Sequence, residues 1–327
     1  MPNVRGAIAR AIHKKFGWSS VAVTVSLLIV ATAAFTLFHV FRQIELGRVI
    51  GALKAQSFRQ LSLSGGFVVA SYLALTCYDV FALRAIGRGE IPYRVAAFAG
   101  FTSYTIGHNL GAAVFTSGFV RYRIYSAWGL SVREIARIAF ITGLTYWLAN
   151  GFVLGGGALV TPEAASAIDH VPASINRLAG IAALSAIGGY LVWLWRSPRA
   201  IGSSDWQITL PNPPSTLVQI GIGSLDLVFV ALAMYVLLPD QPAVDLLDLI
   251  VIFVAAMLMG VVSHMPGSLG VMEAAMFIGL PQIGKEDLLV SLVTFRVLYF
   301  LLPLLLATLL LGLREFRSAA AGIARTL

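Results

Sequence analysis

A small set of polar side chains lies within or beside long apolar stretches of this chain. They are the acids Asp79, Asp226 and Glu273, the arginines Arg121, Arg123 and Arg296, and His108, Asn109 and His264. A charge placed at bilayer depth costs about 2.5–3.5 kcal/mol on insertion scales, so each needs either a partner or a task. Carboxylates in such a setting can receive an ammonium group, and the planar guanidinium fork fits a phosphate. The set could therefore form a polar groove for a headgroup bearing both charges. A purely structural role would instead have Asp79 neutralised by Arg84 and Glu273 by Arg296. Arg121 and Arg123, flanking Tyr122, suit phosphate capture and equally suit ordinary anchoring at a membrane surface. Trp128, Tyr146, Trp147 and Trp193 read as interfacial or packing residues rather than substrate contacts.

Motifs for bond-making chemistry are missing. The sequence holds no GxxxxGK[ST] loop and no HExxH, and its five histidines lack metal-ligand spacing. GSLG at 267–270 is not a nucleophile elbow, because Pro266 replaces the first glycine. Cys77 is the only cysteine, which excludes an intrachain disulfide and a thiolate-rich metal site. A transporter without cofactor or metal is expected, not an enzyme.

The elements that must position these residues follow from hydropathy. Of the 327 residues, 58% are hydrophobic and 12% charged, with a mean hydropathy of +0.85. That is too little charge to cover a soluble surface. Six segments are apolar enough to cross about 30 Å of hydrocarbon: about 21–41, 62–83, 138–160, 178–196, 217–238 and 288–312. The first follows a tail carrying Arg5, Arg10, Lys14 and Lys15; it is too long for a signal-peptide core and is expected to stay as an anchor. Gly155, Gly156 and Gly157 suggest close helix packing.

Two further apolar stretches, about 95–120 and 249–280, are interrupted by Gly, Pro, His and Asn. Arg84, Arg88 and Arg94 precede the first, and Arg121, Arg123, Arg133 and Arg137 follow it. Basic loops stay inside, so this stretch must enter and leave on one side as a re-entrant hairpin. Asp240, Asp245 and Asp248 place the start of the second outside, and Arg314, Arg317 and Arg325 place the C-terminus inside. The second hairpin then dips in from the external face. Loop 42–61 is basic yet falls outside, which suggests an amphipathic interfacial helix there.

The fold class expected is an all-α polytopic membrane protein, with about six full spans and two re-entrant hairpins arranged as an inverted repeat. Residues 1–20 form a cytoplasmic basic tail, 21–315 the transmembrane domain and 316–327 a second cytoplasmic tail. Repeat one covers about 62–160 and repeat two about 217–312. GHNLG at 107–111 corresponds to PGSLG at 266–270 at the two hairpin tips. Inverted repeats with helices broken at mid-membrane are a common transporter construction, because unwound backbone is tolerated only where protein or a polar cavity satisfies it. The net charge of +8 is spread over short loops, which disfavours nucleic acid and favours anionic lipid as the partner.

Five ordered motifs, YDVFALRAIGR (78–88), SYTIGHNLG (103–111), GFVRYRIYSAWGLS (118–131), SHMPGSLGVMEA (263–274) and FRVLYFLLPLLLA (295–307), carry a resemblance. Together they resemble the N-terminal membrane region of the bacterial lysylphosphatidylglycerol synthase/flippase family, the multiple peptide resistance factors. The resemblance spans about 20–315. It implies an inner-membrane module that moves aminoacylated phosphatidylglycerol to the outer leaflet and so protects against cationic antimicrobial peptides. It also implies that Asp79, Asp226 and Glu273 meet lysyl ammonium groups and the arginines meet phosphate, with His108, Asn109 and His264 at the tips. The soluble synthase domain of that family has no counterpart in this sequence. A docking half for a separate synthase, a homo-oligomer, and a carrier of a glycolipid or polyprenyl phosphate remain open.

Overall fold

The computed structural model describes residues 46–323, apart from 112, 198, 204 and 205. The expected span 21–41 and the tail before it lie outside the described residues. Among those described, five helices are long and apolar enough to cross a membrane. They correspond to the other five expected spans, and the fold is an all-α polytopic membrane fold.

A short helix, α1 (Leu46–Ala55), stands within the basic loop 42–61. The first span, α2 (Phe58–Ala85), starts at a capping box in which Ser57 and Gln60 satisfy each other's free amides. Gly87, with φ +79°, follows its end. The first interrupted stretch is a helical hairpin of α3 (Tyr93–Leu110) and α4 (Ala113–Tyr125), turned at Gly111. The span α5 (Val132–Val160) opens on a second capping box, Ser131 with Glu134. Helix α6 (Pro162–Asp169) and the span α7 (Ala173–Arg196) follow. A small antiparallel hairpin pairs β1 (Ala200–Ser203) with β2 (Trp206–Thr209).

The second half repeats the pattern. The span α8 (Pro213–Tyr235) is capped by Asn212. The second hairpin consists of α9 (Leu246–Val262), a 3-10 turn at Pro266–Ser268, and α10 (Val271–Gly279). The last span runs through α11 (Lys285–Arg296), a π-turn at Val297–Leu301 and α12 (Leu302–Ile323). That break was not anticipated. Pro303 explains it, since it has no amide hydrogen to close the preceding turn. Helix α6 and the β-hairpin were likewise not foreseen, being too short to leave a periodic signal.

The hairpins enter from opposite ends of the bundle. Tyr93, at the start of α3, bonds Thr76 near the end of α2 at 2.8 Å. Tyr125, at the end of α4, returns to Asp79 on the same helix at 2.7 Å. The first hairpin thus enters and leaves at the end that carries Arg84, Arg88, Arg196 and Arg314. The second packs near Ile168 of α6 and emerges beside the acidic segment holding Asp240, Asp245 and Asp248. One buried cluster of Ile, Leu, Ala and Val surrounds the first hairpin; a larger one, including Phe253, Phe295 and Tyr299, surrounds the second. Helix α7 packs where Gly155 faces the Gly180 carbonyl and is otherwise largely exposed. Such an apolar surface is compatible with lipid and not with water.

The two tips meet. A β-carbon added to Gly111 would lie 2.8 Å from the carbonyl oxygen of His264 and 3.5 Å from the Pro266 nitrogen, and its φ is +75°. Gly111→Ala is therefore expected to lower stability by about 2 kcal/mol or more, from left-handed strain plus a clash with backbone that cannot yield. Gly118→Ala, where nothing lies within 4 Å of the added carbon, should leave the unfolding temperature in detergent unchanged. Thermal unfolding of the two purified variants checks the contrast.

Candidate functional site

Two buried ion pairs tie the hairpins to the spans. In the first half, Arg121 on α4 grips Asp79 on α2 through Nε, at 3.1 and 3.2 Å, and through Nη2 at 2.8 Å. The Tyr125 hydroxyl donates to the same carboxylate. Asp79 is fully buried and Arg121 is 3% exposed. The expected neutraliser of Asp79, Arg84, is not its partner: it lies at the wall of a different cavity. Arg84 is on Asp79's own helix, five residues on, where the two side chains leave different faces.

In the second half the expected pair forms. Arg296 on α11 binds Glu273 on α10 through Nε. Its other nitrogens donate to the carbonyls of Gly267, at 2.8 Å, and Ser268, at 3.3 Å. Glu273 also accepts from the Gly270 amide at 2.9 Å. The interrupted backbone of the second tip is thus held by side chains in place of helix bonds. Asn109, at the first tip, donates to Thr105 O at 2.8 Å and, at the long limit of a hydrogen bond, to Phe300 O in the π-turn at 3.5 Å. Arg123 joins Glu315 at 2.5 and 3.0 Å, pinning α12 to the end of the first hairpin. It stands with Arg314 at the basic end, not with the tips.

Beside the tips lies a cavity of about 360 Å³, within the size range of small-molecule sites. Its wall includes Tyr104, His108, Ser117, Arg121, Tyr146 and His264. The Arg121 guanidinium also stands 5.3 Å from the centre of the Tyr104 ring. His108 packs edge-on between Tyr104 and Tyr146. His264 sits at φ +56° in the turn after α9, its Nδ1 2.7 Å from Val262 O. Behind His108 and Tyr146, a recess of about 20 Å³ leads to Asp226. Asp226 is 4% exposed and accepts from Ser71 at 2.6 Å and from Tyr78 at 3.4 Å. No Lys or Arg pairs with it among the described residues.

The structure therefore divides the sequence-derived set. His108, Arg121 and His264 line one cavity, and Asp226 lies behind it. Asp79 reaches the cavity only through Arg121, while Asn109, Glu273 and Arg296 build the tips. Tyr146 and Trp147, read from sequence as belt or packing residues, belong to the cavity wall. Tyr104, Tyr125, Tyr78 and Ser71 were missed, because neutral hydroxyls in an apolar run carry no anomaly of charge. Among the described residues no cluster of His, Cys, Asp and Glu could hold a metal ion.

No protein-family model matches the chain. It is 31% identical over 250 residues to the inner membrane protein YbhN of Escherichia coli, covering 74% of this chain and 76% of that one. The chain belongs to the YbhN family of inner membrane proteins. It is also 30% identical over 263 residues to the uncharacterized protein slr0712 of Synechocystis, covering 80% and 81% of the two chains. Membership of the YbhN family and the apolar spans together place the chain in an inner membrane.

The Asp79–Arg121 pair allows a direct energetic test. Removing one member strands the other as a buried, unpaired charge, at a cost of about 3–5 kcal/mol. Asp79→Ala and Arg121→Ala should each sharply lower the unfolding temperature. Asp79→Leu combined with Arg121→Met should recover much of the loss. A double variant as unstable as the sum of the singles would show that the two side chains do not act as a pair.

Proposed function

We propose that this YbhN-family chain is a lipid translocase, which carries a phospholipid headgroup between leaflets through the cavity at the hairpin tips while the acyl chains stay in lipid. The observation that carries the reading is that cavity: a largely apolar chamber with a buried arginine in its wall, lying where two oppositely directed broken helices meet. A headgroup crosses an unmodified bilayer slowly because its charges must leave water. Arg121 supplies a guanidinium for the phosphate, already buried and oriented by Asp79, which Tyr125 holds in turn. Asp226 supplies a carboxyl without a counter-cation, suited to an amine such as the lysyl group of lysylphosphatidylglycerol. No bond is made or broken, so no catalytic group is required.

The basic end is assigned to the cytoplasm by the positive-inside rule, with both termini there and the first hairpin opening inward. A lysyl lipid of net charge +1 moving outward works against about 2.3 kcal/mol per 100 mV of inside-negative potential. That equals a concentration ratio of about 50, which synthesis on the inner leaflet can supply by mass action. The same traffic would reduce the negative charge of the outer surface and so repel cationic peptides. Asp79 and Glu273 are each held by an arginine, which makes them poor candidates for coupling to protons.

Leaflet exchange in proteoliposomes tests the reading. Fluorescent lysylphosphatidylglycerol should exchange at least tenfold faster with the purified chain than in protein-free vesicles. The isosteric Asp226→Asn should slow the lysyl lipid more than plain phosphatidylglycerol, and His108→Ala should slow both. Substitutions at Asp79 or Arg296 are unsuitable as controls, because they would remove the scaffold together with transport. If exchange stays at the protein-free rate with folded protein in the membrane, the translocase reading fails; a docking half for a separate synthase then becomes the better account.

A further inference from the structure

A second cavity, of about 680 Å³, lies at the basic end and shares no residue with the one at the tips. It is walled by the end of α2, the end of α7, the base of the β-hairpin and the first turns of α8. Arg84 and Arg199 both line it, and no acidic residue does. Neither arginine forms an ion pair among the described residues. Two guanidinium groups facing one space without a counter-charge repel each other, and an anion between them would remove that cost.

Two unpaired atoms indicate that something polar is accommodated here. The Arg199 Nε is buried and has no acceptor. Gln219, 1% exposed, lines the cavity with its Oε1 equally unpartnered. Buried polar atoms almost always find partners, so an orphaned donor and an orphaned acceptor in one cavity are informative together. The start of α8 cannot supply the missing interactions. Pro213 and Pro214 have no amide hydrogen, and the Ser215 amide is taken by Asn212 at 2.9 Å. Recognition must therefore come from the side chains.

The surroundings identify the source of the anion. Trp195, 82% exposed, forms part of the wall, and Trp193 stacks under Arg199 with the guanidinium carbon 4.9 Å from its ring centre. Exposed tryptophans with arginines at the end of a span mark the headgroup level of a bilayer. We propose that this cavity is a second lipid site, which binds the phosphodiester of a glycerophospholipid headgroup between Arg84 and Arg199. Gln219 then accepts a hydrogen from the headgroup's hydroxyl or amine. The site is separate from the translocation cavity, and its existence does not depend on translocation.

Calorimetric titration of the purified full chain in detergent tests this with three probes: short-chain phosphatidylglycerol, inorganic phosphate and short-chain diacylglycerol. Phosphatidylglycerol should bind, and Arg84→Gln with Arg199→Gln should weaken it at least tenfold. The near-isosteric Gln219→Glu, which sets a carboxylate against the phosphate, should weaken it similarly. His108→Ala, in the other cavity, should leave this component of binding intact. Inorganic phosphate binding as tightly as the lipid, with the same arginine dependence, would overturn the lipid assignment. Phosphatidylglycerol affinity unchanged in the double arginine variant, or matched by diacylglycerol, would overturn the site.

Discussion

Backbone that leaves a helix inside hydrocarbon must find new hydrogen-bond partners, and the arrangement of this protein follows from that requirement. Each exposed amide or carbonyl there would cost several kcal/mol. At the second tip the requirement falls on one side chain. Arg296 donates to the carbonyls of Gly267 and Ser268, while Glu273 neutralises it and accepts from the Gly270 amide. A guanidinium suits this position because its five donors are fixed in one plane and its charge persists at any accessible pH. The tip can then sit against Gly111 of the opposite hairpin, where only a hydrogen in place of a side chain leaves room.

The first half solves a related problem with the charges exchanged. There the returning arm carries the arginine, Arg121, and the span carries the acid, Asp79; in the second half the arm carries Glu273 and the span Arg296. Both halves thus lock the returning arm of a hairpin to a span. The locks differ in surroundings. Arg296 is occupied by backbone carbonyls, whereas Arg121 borders the cavity and faces the Tyr104 ring. One half is therefore the more rigid support, and the other combines support with a surface that a ligand can reach.

Much of the fold was legible because hydrocarbon imposes a strong and simple pattern. Five spans and both interrupted stretches follow from apolar length and from the Gly, Pro, His and Asn that break it. The pairings were less legible. Of the two neutralising pairs that a purely structural role would require, Glu273 with Arg296 forms, whereas Asp79 pairs not with Arg84, five residues away, but with Arg121, forty-two residues on. Nearness in sequence is a poor guide once a hairpin folds back. Tyr104, Tyr146 and Ser71 could not be distinguished from ordinary apolar-face residues, because their role depends on which helices become neighbours. Pro303 was visible, yet the π-turn it causes depends on how the last span packs. The β-hairpin that closes the second cavity was too short to register at all.

The distribution of partners also limits how the protein can move. If a headgroup passes between the leaflets, the contacts that open must be weak enough to break repeatedly. The two ion pairs are poor candidates, since parting either leaves buried charges at about 3–5 kcal/mol each. The seam between the hairpins is different in kind. There Val261, Val262 and His264, at and just after the end of α9, face α3 and α5 across the cavity, and Gly111 lies close against the backbone of His264 and Pro266. Separating such surfaces in a membrane exposes apolar groups to lipid, which is nearly neutral, or to a hydrated headgroup in transit. Motion concentrated at this seam would join the recess at Asp226 to the larger cavity while both ion pairs stay closed. The hairpins would then move as bodies, each locked to its own repeat.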